Sequence, residues 1–526
     1  MRSRTSLVLS ATPQSLQDRS ESSPRAGRLG ILALVSAALL SVATPVHAQD
    51  DHQLAGLLLD LLSESGRNST TPNPANPSAA PIPHAMHFIP GLSLQLTPRE
   101  LNKAIGLGLT TFPLPSSAGG FAYTTDPATG ETRLATTTFG PVYAERAFTI
   151  GKKRFDFGVA FQPTSFDSFE TAELSDGSMQ FILEHNNCCP GAPPGQNAPL
   201  LPTSDVSPGV PTPFDPAFER DLLRSQISVD IEANTTVFFA NYGVTERFDV
   251  GAAIPFVSVD IAGRVTSTIL RTATAAQPGI HTFAAGQDSF TVAERRSATG
   301  LGDVLLRAKY NFVRSGGNAL AAAIDFRLPT GDEDNLLGTG ATQTRFQFLA
   351  SGEYGLFAPH VSFGYTFSNG EVSDLTADVA NTVAPDEPGR LDVPPPNFDP
   401  SVPDEITYTF GFSAAAHPRV TLGFDFIGRT IRDVYRFDIR DRTLENRGPG
   451  TLGQDQLASF TSTDELIVRG DPNIGTRQNL NLLLGVVGGK VNIGRGVLLN
   501  GGVLFPLSNS GLQPNVTPYF SFEYVF

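Results

Sequence analysis

From about residue 143 to the last residue, apolar and polar side chains alternate one by one, the period of a strand with two unlike faces. The final residues, VTPYFSFEYVF, show it most clearly. Phe520, Phe522, Tyr524 and Phe526 fall on one face, Ser521 and Glu523 on the other. In 226–239, Ile227, Val229, Ile231, Val237 and Phe239 stand against Ser228, Asp230 and Glu232. The same alternation runs through 304–312, 320–328, 404–414 and 420–428, and through 143–150, 154–163, 343–352, 360–368, 479–488 and 496–507. It also runs through 248–262, with a phase slip near Pro255. Each run is roughly nine or more residues, the length a tilted strand needs to cross a bilayer.

The connections alternate in length. Short ones fall at 151–154, 242–247, 313–318, 353–359, 415–419 and 490–495; long ones at about 164–225, 263–299, 329–342, 369–403 and 430–476. Short periplasmic turns and long extracellular loops are the habit of outer-membrane barrels, and a soluble sandwich has no such regularity. Thirteen alternating runs begin at 143, whereas single-chain bacterial barrels have even strand numbers. The expected partner is 104–113, AIGLGLTTFP, which makes 114–142 the first extracellular loop and puts both termini in the periplasm. In that loop Asp126-Pro127-Ala128-Thr129-Gly130 predicts a local hairpin. The expected fold is all-β: an antiparallel up-and-down transmembrane barrel of about 14 strands, with a range of about 12–16, over 104–526.

The chain before 104 does not follow this pattern. Leu29–Val46 is an apolar run preceded by arginines, and Val46-His47-Ala48 offers a small-residue cleavage site. Residues 1–48 therefore read as a signal peptide cut between Ala48 and Gln49. The run is too short for a spanning helix, and no later segment approaches 18 consecutive apolar residues. Residues 49–103 are expected to be a periplasmic Pro-rich linker, or a small plug in the barrel mouth, with short helices at 54–65 and 97–104.

Composition agrees with a barrel. Only 17% of residues are charged, against an apolar fraction of 40%. Net charge is −15, and removing the signal (five arginines against Asp18 and Glu21) leaves −18. That acidity gives nucleic acid no electrostatic foothold. Cys188 and Cys189 are adjacent, without metal-ligand spacing, and read as loop thiols. The eight histidines form no HExxH pattern, and no GxSxG or Walker motif occurs, so neither catalysis nor a cofactor is expected. Asp332, Glu333, Asp334 and Asn335 lack EF-hand spacing and read as a solvated acidic turn, without metal. Asp303, Arg307, Lys309, Asp325, Arg327, Arg345 and Asp425 lie on the polar faces of the expected strands. If the apolar faces meet lipid, these seven point into the lumen, where they pair across strands and set what passes.

Several segments resemble a known family. Gly300-Leu301-Gly302-Asp303 followed by VLLRAKYNF is similar to a strand of the meta-pathway phenol-degradation family of outer-membrane proteins. Asn241–Arg247 with the following strand resembles the family's preceding turn, and Leu328-Pro329-Thr330-Gly331-Asp332 its next strand end. A strand with Pro418-Arg419 before another also fits, so the resemblance extends over about 226–526. It implies a barrel in the style of channels for long-chain fatty acids and aromatic hydrocarbons. The expected function is passive passage of small solutes, hydrophobic or aromatic ones included, through the bacterial outer membrane. The alternative is a surface structural or adhesion barrel whose long loops carry the function. Expected partners are outer-membrane lipid and the barrel-assembly machinery, which would read Phe520, Phe522, Tyr524 and Phe526.

Overall fold

The structure, a computed structural model, describes residues 53–67, 70–71, 82–83, 88–89, 92–113, 120–125, 129, 131–185, 222–270, 282–283, 286–372, 399–444, 460–469 and 476–526. The expected signal peptide with its expected Ala48–Gln49 cleavage site, and Cys188 and Cys189, lie outside these residues.

Twelve strands close the wall in sequence order: β1 Phe155–Phe169, β2 Leu222–Gly243, β3 Phe248–Leu270, β4 Val304–Ser315, β5 Asn318–Leu328, β6 Ala341–Gly352, β7 Phe357–Gly370, β8 Glu405–His417, β9 Val420–Tyr435, β10 Arg477–Gly494, β11 Val497–Pro506 and β12 Thr517–Val525. Each is antiparallel to the next, and β12 returns to β1 through Phe520↔Phe161 to Val525↔Asp156, so the ring has no edge. Closure matters because unpaired backbone groups have no partner in lipid. Lower down, the outer face is apolar: Phe348 is 65% exposed, Phe520 60% and Phe363 53%, while their inward neighbours Gln347, Glu523 and Ser362 are buried. The aromatic row of the last strand therefore points outward.

The expected count of fourteen is corrected to twelve, and the two surplus strands have physical explanations. Residues 104–110 are helical, the end of a helix (α2, Leu92–Thr110) that begins well before the expected 97. Leu101, Ile105 and Leu109 recur at helical spacing, but Leu107 is also buried, against Ala341 and Val402. A helix covered on every side loses its polar stripe, so Ile105, Leu107 and Leu109 imitate a strand. Residues 143–150 belong to no strand; they bend at Tyr143, Ala144 and Ala147 and run inside the barrel. The expected hairpin in 114–142 exists, as Tyr123–Thr125 paired with Thr132–Leu134, but it is not in an outer loop. Tyr123 N donates to Ile150 O, and Gly151 lies against Tyr123, at the short-turn rim.

The phase slip of the alternation near Pro255 is a change of chemistry and not of register. Register with β2 is unbroken through Pro255↔Val237, and the odd-numbered residues face inward on both sides of it. What inverts is the chemistry. Below Pro255 the inward residue is Asp249 and the outward ones are Val250 and Ile254; above it Val259, Ile261 and Val265 are inward and Ser258, Asp260 and Arg264 outward. Ile227, Val229 and Ile231 of β2 likewise face inward. The upper wall has polar residues outside and an apolar lining, because its interior packs on helices.

Those helices fill the mouth at the long-loop rim. A 3-10 turn, Leu54–Gly56, leads into α1, Leu57–Arg67, whose Leu57, Leu59 and Leu61 are fully buried with Ile227, Val229 and Val265. Gly263 admits α1, since a Cβ there would sit 2.5 Å from Leu61. Arg296, on a strand Ser289–Leu301 that continues β4 upward along β3, fixes the helix through Asp60 (2.8 Å). The acidic turn 332–335 is not simply solvated: Asp334 O accepts from the Ala55 amide (2.9 Å) and Asn335 Oδ1 from the Leu54 amide (3.4 Å). Among the described residues no group of three His, Cys, Asp or Glu could hold a metal ion. No described helix is long and apolar enough to cross a membrane.

Candidate functional site: the occupied lumen

The lumen below the helices is crossed by 139–150, and the wall's polar side chains take up this segment's backbone groups. Thr421 Oγ1 accepts from the Phe139 amide (3.0 Å), Asp425 from those of Tyr143 (2.7 Å) and Ala144 (3.0 Å), Ser351 Oγ from Ala147 (2.9 Å) and Asp249 from Ile150 (2.9 Å). In the other direction Asn500 donates to Val142 O (3.1 Å), Asn311 to Ala147 O (2.8 Å), and Lys309 Nζ to Phe148 O (3.1 Å) and Arg146 O (3.3 Å). Buried peptide groups must be paired, and a segment with no strand neighbour has to find side chains. Gly423 and Gly488 form a notch for Val142: Cβ atoms there would lie 2.3 and 2.7 Å from its methyl carbons.

The seven residues singled out from the sequence divide by task. Arg307, Asp325 and Arg345 form one cluster. Asp325 receives Arg307 Nε at 2.6 Å and Arg345 Nη2 at 2.6 Å, bridging β4, β5 and β6, and Arg307 also binds Glu145 of the luminal segment. Lys309 and Asp425 hold that segment, Asp425 with His360 Nε2 at 2.7 Å. Arg327 reaches the end of α2, donating to Thr110 O (3.2 Å). Asp303 lines a neighbouring space together with Arg327 but is hydrogen-bonded to none of the other six. It sits where the wall breaks between Leu301 and Val304 and anchors loop 329–340 through the amides of Gly331 (3.1 Å) and Thr339 (2.8 Å). Sequence reasoning missed Glu145, Glu405 and Arg429. Glu405 and Arg429 pair at 2.6 Å across β8 and β9, and Arg429 also binds Thr111 (2.7 Å) below α2. Their signal was present, since both lie opposite the aromatic face of their strands; Glu145 had none, because its partners are distant in sequence.

Two spaces remain. A chamber of about 150 Å³ lies between the end of α2 and residues 143–145, lined by Arg307, Arg327, Arg345 and Arg429 among others. The second, of about 40 Å³, lies beside α2 and is mostly apolar, with Leu480, Leu482, Leu483, Leu512 and Ile431 in its lining. It follows a gap in the ladder. β10 pairs with β9 to its upper end but with β11 only as far as Leu484↔Pro506. The chain then turns away, and Leu512–Pro514 pairs with β1 instead. Leu507 N to Leu483 O (2.8 Å) and Leu483 N to Ser508 Oγ (3.0 Å) close the lower corner of this seam, and Leu480 and Leu482 lie against Gly511 above it. Leu483 shares the outer face with Val487 and Leu482 the inner face with Val486, so residues of both faces line this space.

At the mouth of the lumen, burial lifts the Glu100 carboxyl of α2 to about 7, against the pull of Lys103 and Arg477. Burial lowers Lys103 from its usual value.

Residues 212–380 match the family described as "Putative MetA-pathway of phenol degradation". This range holds the Asn241–Arg247, Gly300–Phe312 and Leu328–Asp332 segments and stops before Pro418. No curated protein matches the chain. Among solved structures, the chain is similar to the COG4313 outer membrane channel from Pseudomonas putida F1 at 12% identity, with a TM-score of 0.36, over 73% of this chain and 100% of that one. It is similar to the Ralstonia pickettii toluene transporter TbuX at 10% identity and TM-score 0.29, over 73% and 92%. For a Pseudomonas aeruginosa FadL homologue the values are 11% and 0.26, over 78% and 96%. At these scores the barrel assignment rests on the closed hydrogen-bond ladder.

Proposed function

We propose, for a chain whose residues 212–380 carry the phenol meta-pathway family pattern, passive passage of small solutes, hydrophobic and aromatic ones included, through the bacterial outer membrane. The observation that carries this reading is the apolar seam between β10 and the chain after β11. It lies beside α2 with Leu483, a residue of the outer face, in its lining, and in this reading it opens there to the outer apolar face. An apolar solute entering there trades water for a leucine-lined surface, gaining about 25 cal/mol per Å² buried. The β10–β11 ladder ends at Leu484↔Pro506, so above the Leu507–Leu483 bond side-chain rotation alone widens the path between these two segments. Charged walls below favour nothing greasy, so the seam and the chamber serve different parts of the route.

In this reading the long loops are extracellular, the short turns periplasmic, and the last aromatic row is the feature that assembly machinery reads. The test is swelling of liposomes that carry the purified, heat-modifiable barrel. Toluene-sized and phenolic solutes should enter faster than sugars of similar size. Leu482→Trp, which fills the seam from inside, should slow the apolar solutes several-fold and leave the thermal unfolding of the barrel unchanged. Equal entry of sugars and aromatic solutes, or no effect of the seam variant, would refute the reading.

A further inference from the structure

The chamber between α2 and residues 143–145 has an unbalanced charge. Its lining holds four arginines (Arg307, Arg327, Arg345 and Arg429) against three carboxylates (Glu145, Asp325 and Glu405). The carboxylates are spoken for: Asp325 takes Arg307 and Arg345, Glu145 takes Arg307, and Glu405 takes Arg429. Arg327 also lines the chamber, and its hydrogen bond goes to a neutral carbonyl, Thr110 O, at 3.2 Å. A guanidinium offers five N–H donors, so one carbonyl leaves most of this fork open. Two further polar atoms of the lining, Gln347 Oε1 and Thr407 Oγ1, are buried and have no hydrogen-bond partner. The remaining lining includes an apolar strip of Ala253, Leu305, Ile427 and Pro113.

We propose that this chamber binds a small organic monoanion, a one-ring carboxylic acid in its ionised form, with the carboxylate on Arg327. Asp303, which lines the adjoining space with Arg327, gives its oxygens to Gly331 and Thr339, so Arg327 has no carboxylate bonded to it and sets the ligand's charge. The carboxylate matches the guanidinium fork in a bidentate pair. The volume of about 150 Å³ is that of cavities that accept a benzene ring. A ring hydroxyl, or water carried with the ligand, serves Gln347 and Thr407. This deepens the passage reading, because it makes the chamber the point on the route that sorts aromatic acids from neutral aromatics.

The test is equilibrium binding to the full-length barrel in detergent, by titration calorimetry, with benzoate and benzyl alcohol as probes. Benzoate should bind at least ten-fold more tightly. Arg327→Gln should weaken benzoate ten-fold or more without affecting benzyl alcohol. Arg327→Lys, which keeps the charge, should recover part of the loss. The gel shift on boiling verifies that each variant is folded. Equal binding of the two probes, or an unchanged Arg327→Gln barrel, would overturn the proposal. So would complete displacement of benzoate by 150 mM chloride, roughly physiological ionic strength, which would mean an inorganic anion site only. Binding needs no transport: benzoate binding without liposome swelling sinks the passage reading, and swelling without binding sinks this one.

Discussion

Raising the pH should loosen the helix in the barrel mouth. Glu100 of α2 is 4% exposed, and burial raises its carboxyl from 4.5 to about 7. A raised acid is neutral in the docked helix and ionised sooner in the released one. The cost of docking therefore starts near pH 4.5, grows until about pH 7 and is constant above it. The shift corresponds to about 3 kcal/mol at most. Lys103 works in the opposite sense: its value is lowered by burial, so its cost is relieved only as pH climbs toward 10.5. Between pH 4.5 and about 7 the changing cost is the carboxyl's own titration. Hydrogen exchange of the 99–109 amides, expressed as protection factors to remove the intrinsic base catalysis, should fall between pH 5 and 8.5 by roughly one to two orders of magnitude. In Glu100→Gln the same amides should hold a flat profile across that window. A flat profile in the unsubstituted protein, or an unaltered slope in the variant, would refute the argument.

Three other changes test the wall and its contents. Asp325→Asn leaves Arg307 and Arg345 without their shared carboxylate, so it should cost about 3–5 kcal/mol and lower the temperature of the gel-mobility transition. Gly423→Leu fills the notch of Val142 and should cost about 1–3 kcal/mol; faster hydrogen exchange in 139–150 would register it, and unchanged protection would show that the notch holds nothing. Phe348→Arg places a cation on the exposed outer face and should cost about 2–4 kcal/mol if that face lies at the bilayer midplane, but almost nothing in water. Denaturant titration in lipid vesicles separates the two.

The wall was legible because each of its twelve strands keeps a two-residue period over a long run, enforced wherever its two faces meet unlike surroundings, apolar outside and polar inside below and the reverse above. The contents of the lumen were not. Residues 143–150 carry the same alternation as the wall, yet nearly all of them are buried, so the alternation there marks no lipid-facing side. Helix α2 was misread at 104–110 because burial on all sides erased its stripe. Ile227, Val229 and Ile231 were correctly placed on one face, but only the structure tells that this face meets helices instead of lipid. The charged residues of β4, β5 and β6 were readable one by one, whereas Glu145 joins them from 162 positions away from Arg307.

The segment that crosses the lumen also constrains the order of events in biogenesis. Its bonds to the wall join Tyr143 to Asp425, Ala147 to Ser351 and Val142 to Asn500, and the wall shuts only when β12 meets β1. A finished cylinder would have to be threaded past both the helices and the hairpin 123–134, which is wider than an extended chain. The early part of the polypeptide must therefore already be lying against the curling sheet when its final strand arrives, and serves as the mandrel on which the cylinder is wound.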